Sequence, residues 1–364
     1  MGLFAWYDSR KVLSLTDFDL SIWTAIGLSV LFALTLLSSY LHYRALLEIR
    51  PLKAGVRTQP LDCMVVIPAR NEQGKVGRAV GSLPPDSVIV VDDFSRDETA
   101  AEARRAGAGV LAAQEPLEGA LGKPSACMEG ARVLTSRWIL FADADTRYEA
   151  GFLDAAVAAA EAGKLDFLSI YLRPEYRTLA ESALSPFAVA LYFCGINPRA
   201  DAGLAFNGQC VLVRRDPYEF VGGHKSLLTS LCDDVKMAEL AQMHRMKFAV
   251  ARAPRLGYVR ISPRDFERNA SRFALGGLGK GARILIMAMV WALWLPMLLW
   301  LLVEQRRAAA AIFCFVPSVF LAPWYGAARA LLAPFGIYTL LPTLVRGTTD
   351  ALLHRRVEWK GRVI

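Results

Sequence analysis

An uncharged apolar stretch near the N-terminus is the sequence feature that most constrains the fold. Leu20 to Leu41 contains 22 residues and no Asp, Glu, Lys or Arg. As a helix it would measure about 33 Å at ~1.5 Å per residue, enough to cross a hydrocarbon core of roughly 30 Å. A cleaved signal peptide is the alternative, but the stretch is longer than a signal h-region and no small-residue cleavage site follows it. We therefore expect an uncleaved anchor over residues 1–43 and a linker over 44–61.

Further apolar stretches lie near the C-terminus. Ile284 to Val303 and Ala308 to Ala328 are also free of charge, whereas Ala330 to Val345 has only 16 residues and contains Pro334 and Pro342. Buried core helices are the alternative for stretches of this length. We expect interfacial and transmembrane helices over 276–345, with two or three spans, and a basic tail over 346–364.

The basic residues next to these stretches predict the orientation in the membrane. Arg44, Arg50, Lys53 and Arg57 closely follow the first stretch, and five more basic residues lie beyond Val345. Because cytoplasmic flanks are enriched in Lys and Arg, we expect the central domain and the tail to be cytoplasmic. This orientation requires an even number of crossings after the central domain, so Ala330 to Val345 is expected to be re-entrant or interfacial. The sequence thus predicts a multi-pass protein of the cell inner membrane.

The net charge of +8 indicates which partners to expect. The basic residues crowd next to the apolar stretches and do not form a stripe with interleaved aromatic residues, which argues against nucleic acid as a partner. An anionic membrane surface fits this distribution.

Between the apolar ends, short apolar runs alternate with helical patterns. Strands are predicted at Cys63 to Pro68, Ser87 to Val91, Val110 to Ala113 and Trp138 to Phe141. Helices are predicted at Gly74 to Ser82, Thr99 to Ala106 and Ser125 to Leu134. This alternation predicts an α/β domain with a mainly parallel, Rossmann-like sheet wound on both faces. Ligands of such sheets bind beyond the carboxyl ends of the strands.

Acidic residues follow two of the predicted strands. Asp92 and Asp93 come directly after one, and Asp143 and Asp145 follow another as an Asp-Ala-Asp motif. A carboxylate at a strand end can be a structural cap, but two such clusters on one sheet edge favour ligand binding. Carboxylate oxygens suit Mg²⁺ or Mn²⁺, which take further ligands from substrate phosphates. The six cysteines lack a CxxC pair, which argues against a zinc site.

The ordered motifs resemble those of family 2 glycosyltransferases with the GT-A fold, over roughly residues 62–275. The matching segments are 68–72 (Pro-Ala-Arg-Asn-Glu), 92–93 (Asp-Asp), 143–145 (Asp-Ala-Asp), 208–215 (Gly-Gln-Cys-Val-Leu-Val-Arg-Arg) and 232–238 (Cys-Asp-Asp-Val-Lys-Met-Ala). The resemblance implies an inverting, metal-dependent transfer of a sugar from a nucleotide-sugar donor, expected to be a UDP-sugar.

The resemblance also assigns roles to residues. Those expected to bind the donor are Ala69, Glu72, Asp92, Asp93, Lys123, Asp143 and Arg272. The divalent metal is expected at Asp143 and Asp145. The acceptor side is expected to include Gly208, Gln209, Cys210 and Phe273. As an alternative, Lys123 is an ordinary exposed lysine.

The second residue of the acidic pair at 233–234 matches the family's catalytic base. We therefore expect Asp234 to act as the base that removes a proton from the acceptor, and Asp233 to have an orienting role. The alternative is that both carboxylates only stabilise the N-terminus of a helix. His224, in Val-Gly-Gly-His-Lys, is expected in an acceptor-side loop.

The segment before the C-terminal stretches bears on the acceptor. Family members that make polymers carry Gln-x-x-Arg-Trp there, whereas this chain has Asn269-Ala-Ser-Arg272-Phe273, in which Gln and Trp are missing. Single transfer is therefore favoured over processive synthesis. The ending Val357-Glu-Trp-Lys-Gly-Arg362 is similar to that of hopene-associated or carotenoid glycosyltransferases, which implies a membrane lipid acceptor such as a hopanoid or carotenoid. The alternatives are a polyprenyl-phosphate glycosyltransferase and an inactive membrane scaffold.

Overall fold

The computed structural model describes residues 15–53, 60–183, 206–260 and 292–336, together with isolated positions after 336. Its centre is a nine-stranded mixed sheet. The strands are β1 (Arg50–Pro51), β2 (Cys63–Ala69), β3 (Val88–Asp92), β4 (Gly109–Ala112), β5 (Trp138–Ala142), β6 (Thr146–Tyr148), β7 (Phe167–Glu175), β8 (Cys210–Arg214) and β9 (Phe248–Arg260). A separate two-stranded pair, β10 (Glu358–Trp359) and β11 (Arg362–Val363), lies near the C-terminus.

The strand order is β1-β9-β7-β8-β5-β2-β3-β4, with β6 paired to β9. Strands β2, β3, β4 and β5 are mutually parallel, as predicted. In contrast, β8 runs antiparallel to both β5 and β7, and β6 runs antiparallel to β9. Strands β1, β9 and β7 are again parallel to one another, so most strand pairs are parallel, as expected, within a mixed sheet. An apolar run predicts a strand but not its direction, which depends on the edge at which the chain enters the sheet.

The helices occur in chain order between and around these strands. They are α1 (Leu15–Glu48), α2 (Val76–Gly81), α3 (Thr99–Arg105), α4 (Gly122–Arg132), α5 (Phe152–Gly163), α6 (Arg215–Phe220), α7 (Asp233–Met243), α8 (Trp294–Val303), α9 (Arg307–Tyr325) and α10 (Ala327–Leu332). A 3₁₀ turn at Gly223–Leu227 precedes α7, and another at Ala333–Phe335 follows α10.

Both faces of the sheet are covered, because successive side chains of a strand point to opposite sides. On β2, Val65 and Ile67 pack in one core with α2, α3 and α5. Val66, between them, packs in a second core with α4, α6 and α7. The continuous apolar runs in the sequence follow from burial on both faces.

Helix α4 packs unusually close to the sheet at Gly130. A Cβ atom there would lie 2.5 Å from Val66 Cγ1 and 3.0 Å from Val91 Cγ2. The absence of a side chain therefore lets α4, which begins with the functional segment Gly122-Lys123, approach β2 and β3 closely.

The N-terminal apolar helix is long enough to cross a membrane. Its candidate span is Ile22–Arg44, and the helix continues to Glu48, so the first residues of the predicted linker are helical. Helix α9 is bent by 41° between Arg307–Val316 and Ser318–Tyr325, and α8 has only 10 residues. In the sequence a proline stands between these two parts, and a proline has no backbone N–H to donate to a helical hydrogen bond. By length and composition the described residues contain one spanning helix, or two if the bent pair is one span.

The apolar helices contact each other and the sheet domain. The ring of Phe32 of α1 is tilted against that of Phe313 of α9 with centroids 5.9 Å apart, and His42 Nε2 lies 2.9 Å from the Tyr325 hydroxyl. Ile49 and Tyr171, at the edge of the sheet domain, pack with residues of α9 and α10. The number of C-terminal spans remains a prediction, because 261–291 lie outside the described residues.

Candidate active site

The predicted acidic clusters lie at one edge of the sheet. Ala69 at the end of β2 is paired in register with Asp92 at the end of β3. Strand β5 is parallel to β2 and ends at Ala142, so the Asp143-Ala144-Asp145 turn emerges at the same edge. This edge is where ligands bind in open α/β sheets.

The loops after β2 and β3 are joined by hydrogen bonds. Asp93 N–H donates to the Ala69 carbonyl at 2.8 Å, and the Arg70 guanidinium donates to the Asp93 carbonyl at 3.0 Å. The Asp93 carboxylate is 3% exposed and lies 3.7 Å from the same guanidinium. Asp93 is thus positioned from both sides, whereas Asp92 is half-buried at the strand end.

Three residues that hold the loop after β2 in place were not among the site residues predicted from the sequence. Thr99 Oγ1 accepts from Glu72 N–H at 2.8 Å, which fixes the loop that carries a predicted donor-binding residue. The Glu102 carboxylate accepts from the N–H groups of Gly74 and Gly77 at 2.6 and 2.8 Å. The third is Arg70. Arg70 stands inside a recognised motif, but Thr99 and Glu102 lie on the next helix, and no local pattern links them to this loop.

The Asp-Ala-Asp turn carries a positively charged partner. Asp143 N–H donates to the Gln209 carbonyl at 3.1 Å, and Thr146 Oγ1 donates to the Asp143 carbonyl at 2.7 Å. The Lys123 ammonium lies 2.7 Å from Asp143 Oδ1 and 3.3 Å from the Gly208 carbonyl. Lys123 is therefore not an ordinary surface lysine. Its side chain is only 19% exposed, and it connects the turn after β5 with the loop before β8.

The Asp-Ala-Asp turn can supply part of the ligands of a divalent metal. Among the described residues, no group of three or more His, Cys, Asp or Glu side chains converges on one point. Mg²⁺ and Mn²⁺ need not find such a cage, because they are commonly held by one or two carboxylates together with substrate phosphates. Asp143 and Asp145 supply two carboxylates on one short turn, and Asp143 already holds a cation, the Lys123 ammonium. The residues present therefore fit a metal that arrives with a diphosphate.

Asp234 lies across Gly208 from Lys123. It stands in the first turn of α7, where Oδ2 accepts from Gly208 N–H and Oδ1 accepts from Val235 N–H, both at 2.9 Å. A Cβ atom on Gly208 would lie 2.9 Å from Asp234 Oδ2, so only glycine allows this approach. Gly208 thereby connects the two charged groups, donating to Asp234 through its N–H and accepting from Lys123 through its carbonyl.

The electrostatic environment makes Asp234 a better proton acceptor than an ordinary aspartate. Burial and the neighbouring charge of Asp233 raise the pKa of Asp234, while Lys123 opposes this rise. A carboxylate with a raised pKa is more basic, and catalytic bases are commonly tuned in this way. Asp233 itself is 5% exposed, which fits an orienting role better than direct contact with an acceptor.

His224 lies in the wall of the cleft that Asp143, Lys123 and Asp234 also line. It is 4% exposed, its Nδ1 lies 2.9 Å from the Tyr218 hydroxyl, and its ring is 4.4 Å from that of Phe141. Burial lowers the pKa of His224 to about 4, so its imidazole is neutral at pH 7. The segment forms the 3₁₀ turn Gly223–Leu227, and Leu227 and Tyr218 pack in the core beside it. A place for His224 on the acceptor side of the cleft stays a prediction.

The predicted acceptor-side residues separate into two groups. Gly208 and Gln209 lie at the site edge, where the Gln209 side chain accepts from the Asn207 amide at 3.2 Å. Cys210 is fully buried at the start of β8, next to Ala142 in register, and packs in the core. Its side chain therefore points into the core instead of toward an acceptor. Arg272 and Phe273 lie outside the described residues.

A family model and the curated relatives that match this chain are all of glycosyltransferases. Residues 64–218 match the family model described as glycosyl transferase family 2. A 4,4'-diaponeurosporenoate glycosyltransferase of Staphylococcus haemolyticus is 28% identical over 253 residues, which cover 62% of this chain and 63% of that protein. Its Staphylococcus aureus (strain MRSA252) counterpart is 38% identical over 89 residues, or 23% of this chain and 24% of that protein. The matched part thus spans less than two thirds of the length of these curated relatives.

A solved structure shares the fold. The mannosyltransferase of Pyrobaculum calidifontis, determined in complex with GDP-mannose and Mn²⁺, superposes with a TM-score of 0.53 at 21% identity and covers 91% of this chain and 98% of its own. The chain therefore shares the fold of that mannosyltransferase, which agrees with the fold that the motifs imply.

Proposed function

We propose that this chain, whose residues 64–218 form a family 2 glycosyltransferase domain, is an inverting enzyme that moves a sugar from a nucleotide-sugar donor to a membrane lipid. The observation that carries this proposal is the connected series Asp143–Lys123–Gly208–Asp234. It joins a turn suited to a metal and diphosphate with a buried carboxylate suited to proton removal. Transfer of a sugar needs both at once.

On the donor side, we assign the nucleoside to the loops after β2 and β3. Ala69, Glu72 and Asp93 would contact a uridine, and the hydrogen bonds through Thr99 and Arg70 hold these loops in place before the donor arrives. A divalent metal, held by Asp143 and Asp145, would neutralise the departing nucleoside diphosphate. The Lys123 ammonium, 2.7 Å from Asp143, would move onto the same phosphates or remain as a second positive charge.

On the acceptor side, Asp234 would remove the proton of the attacking hydroxyl. Each of its oxygens accepts one backbone N–H, and a carboxylate oxygen has a second lone-pair site for a further hydrogen bond. The hydroxyl oxygen attacks the anomeric carbon as the bond to the diphosphate breaks, which inverts that centre. The proton goes to Asp234, and the diphosphate leaves with its negative charge neutralised.

A membrane lipid is the acceptor class we favour. The curated relatives are named for diaponeurosporenoate, and the chain has an apolar helix at Ile22–Arg44 that packs beside the catalytic domain's supporting helices. A carboxylate acceptor has no proton to lose at neutral pH, whereas Asp234 is arranged to accept one. We therefore infer an acceptor hydroxyl, on a hopanoid, a carotenoid or another glycolipid precursor. The alternative is a lipid carboxyl like that in the name of these relatives, toward which Asp234 would have no proton to remove.

The proposal is tested by supplying radiolabelled UDP-glucose, UDP-galactose or GDP-mannose to membranes that contain the chain and extracting the lipids. We expect label in a lipid that resists mild acid, since a glycoside of an alcohol is stable there. Label released by mild acid would instead indicate a polyprenyl-phosphate acceptor. If none of these donors is turned over and no lipid is labelled, the chain is an inactive scaffold and the proposal is contradicted. Mass spectrometry of cell lipids with and without the gene would then identify the product.

The proposed site also requires a topology in which the catalytic domain faces the cytoplasm, where nucleotide sugars are made. The cysteines that the structure describes are buried or half-buried, so a labelling site has to be introduced. Glu118 is exposed, and Glu118→Cys is expected to react with an impermeant maleimide only after the membrane is opened. Reaction in intact cells would place the domain outside and overturn this topology.

A further inference from the structure

A second polar cleft lies at the junction between the catalytic domain and the apolar helices. It has a volume of about 420 Å³ and is lined by Arg78 of α2, the end of β7 with Arg173 and Glu175, Tyr258 of β9 and Arg329 of α10. Tyr176 and Arg177, just after β7, complete its wall. The cleft thus brings together residues that are far apart in the sequence and belong to both parts of the molecule.

Positive charge dominates this cleft. Of its lining residues four are arginines, and the one carboxylate, Glu175, already binds Arg78 at 3.4 Å and Arg147 at 2.9 Å. Arg173 donates to a backbone carbonyl at 3.4 Å, and Arg329 donates to the Tyr325 carbonyl at 3.3 Å. Within the described ranges, neither of these two forms an ion pair with a carboxylate. Their charge is left for a ligand.

One of these arginines is held in position by an aromatic ring. The Arg329 guanidinium lies 4.4 Å from the centroid of the Tyr176 ring. Burial raises the pKa of the Tyr176 hydroxyl to about 12, whereas the nearby charges of Arg329 and Arg173 act in the opposite direction. An anion in the cleft could accept two parallel hydrogen bonds from the Arg329 guanidinium, which this ring holds in place, and further ones from the exposed Arg173.

The position of the cleft relative to the active site follows from strand pairing. Val259 of β9 pairs with Thr146 on one side and with Pro174 on the other. Two strand spacings of about 4.8 Å therefore separate the end of β7 from Thr146, which directly follows Asp145. The cleft lies roughly 10 Å from the Asp-Ala-Asp turn, and Arg147 connects the two through its bond to Glu175.

The opposite wall of the cleft leads toward the membrane. Arg329 follows the bent apolar helix α9, whose Tyr325 contacts His42 inside the candidate spanning helix α1. Near the cleft, Tyr171 of β7 packs with Leu321 of α9. An anion in the cleft would therefore lie near the end of the candidate spanning helix α1 that contains His42.

We propose that this arginine-lined cleft binds the phosphate group of a membrane lipid. Arginine forks match the oxygens of a phosphate, and the adjoining apolar helices offer a path for an acyl or prenyl chain. This site is distinct from the donor site, and its occupancy does not depend on the proposed sugar transfer.

The test uses the full-length chain purified in dodecyl maltoside, with decyl phosphate as the probe and calorimetry as the readout. We expect saturable binding that weakens at least tenfold in the double variant Arg173→Gln/Arg329→Gln. The matched control is Arg104→Gln/Arg105→Gln, two exposed arginines of α3 near the opposite end of the sheet, which should bind as tightly as the unaltered chain. Equal binding by all three proteins, or equal loss in both variants, would overturn the proposal.

Two further measurements separate the possible outcomes. Inorganic phosphate at the same concentration is expected not to displace decyl phosphate, and equal affinity for both would show a site for free phosphate instead of a lipid. UDP binding in the double variant should stay unchanged, because the donor edge is untouched. If the double variant does not fold, Arg177→Glu reverses an exposed charge of the cleft and should weaken decyl phosphate binding to a similar degree; retained binding would contradict the proposal.

Discussion

Replacing Asp234 by Asn tests the proposed base directly. The structure shows that the substitution keeps the shape but not all hydrogen bonds. The two carboxylate oxygens accept from Gly208 N–H and Val235 N–H, whereas an amide has one oxygen and turns an NH₂ group toward the other donor. Losing a hydrogen bond to a charged group costs about 1.5 to 3 kcal/mol of stability.

A second effect on stability has the opposite sign. Because burial and Asp233 raise the folded-state pKa of Asp234 above its unfolded value, the folded chain binds more protons between the two values. Stability therefore falls as pH rises through that window, and Asn removes this loss. The net change in the free energy of unfolding at pH 7 should be no more than about 3 kcal/mol.

The expected loss of turnover does not come from the change in stability. General-base catalysis is worth ~10² to 10⁴ in rate, or about 3 to 5 kcal/mol at ~1.4 kcal/mol per tenfold change. A helix-end charge contributes only about 0.3 to 1 kcal/mol, and a modest stability loss leaves the folded fraction near one. Asp234→Asn should therefore lower kcat by ~10² to 10⁴ without a matching loss of donor affinity.

The assay combines calorimetry of UDP binding with turnover on a competent lipid acceptor, and a thermal melt reports stability. The matched control is Asp216→Asn, an exposed acid in the first turn of α6, which loses a comparable helix-end charge and should keep its rate. Asp233→Asn should lower the rate less than Asp234→Asn, since its role is orientation. Normal turnover in Asp234→Asn, or parallel loss of donor binding and rate, would refute the assignment of Asp234 as base.

Three further predictions concern the metal, the lysine and the packing. Asp145→Ala should abolish both transfer and the Mn²⁺-dependent part of UDP binding while the fold remains; full activity of the unaltered chain in excess chelator would contradict this. Lys123→Met should weaken UDP binding about tenfold and move the acidic limb of the rate profile to higher pH, because Lys123 lowers the pKa of Asp234; an unmoved limb would contradict the coupling. Gly130→Ala should cost about 1 to 3 kcal/mol in a denaturant melt, because its Cβ would lie 2.5 Å from a β2 valine, whereas Gly81→Ala, with nothing within 4 Å, should not destabilise.

The sequence alone determined the local elements and the first half of the site. Strands β2, β3, β4 and β5 were predicted within one or two residues, because buried parallel strands read as short apolar runs between turn residues. Asp92 and Asp143 were placed at one sheet edge, since acidic residues directly after parallel strands share the edge at which those strands end. The motif spacing also pointed to the family to which residues 64–218 match.

Only the tertiary structure decided how distant segments meet. Lys123 and Gly208 are 85 positions apart in the sequence, and Gly208 and Asp234 are 26 apart. Nevertheless, the backbone of Gly208 forms hydrogen bonds with both charged side chains. The antiparallel direction of β8, the burial of Cys210 and His224, and the arginine cleft between β7 and α10 likewise had no sequence signal. The physical reason is common to all of them. Hydrophobic periodicity reports which face of an element is buried, but the partner across that face is chosen by packing and chain direction over the whole domain.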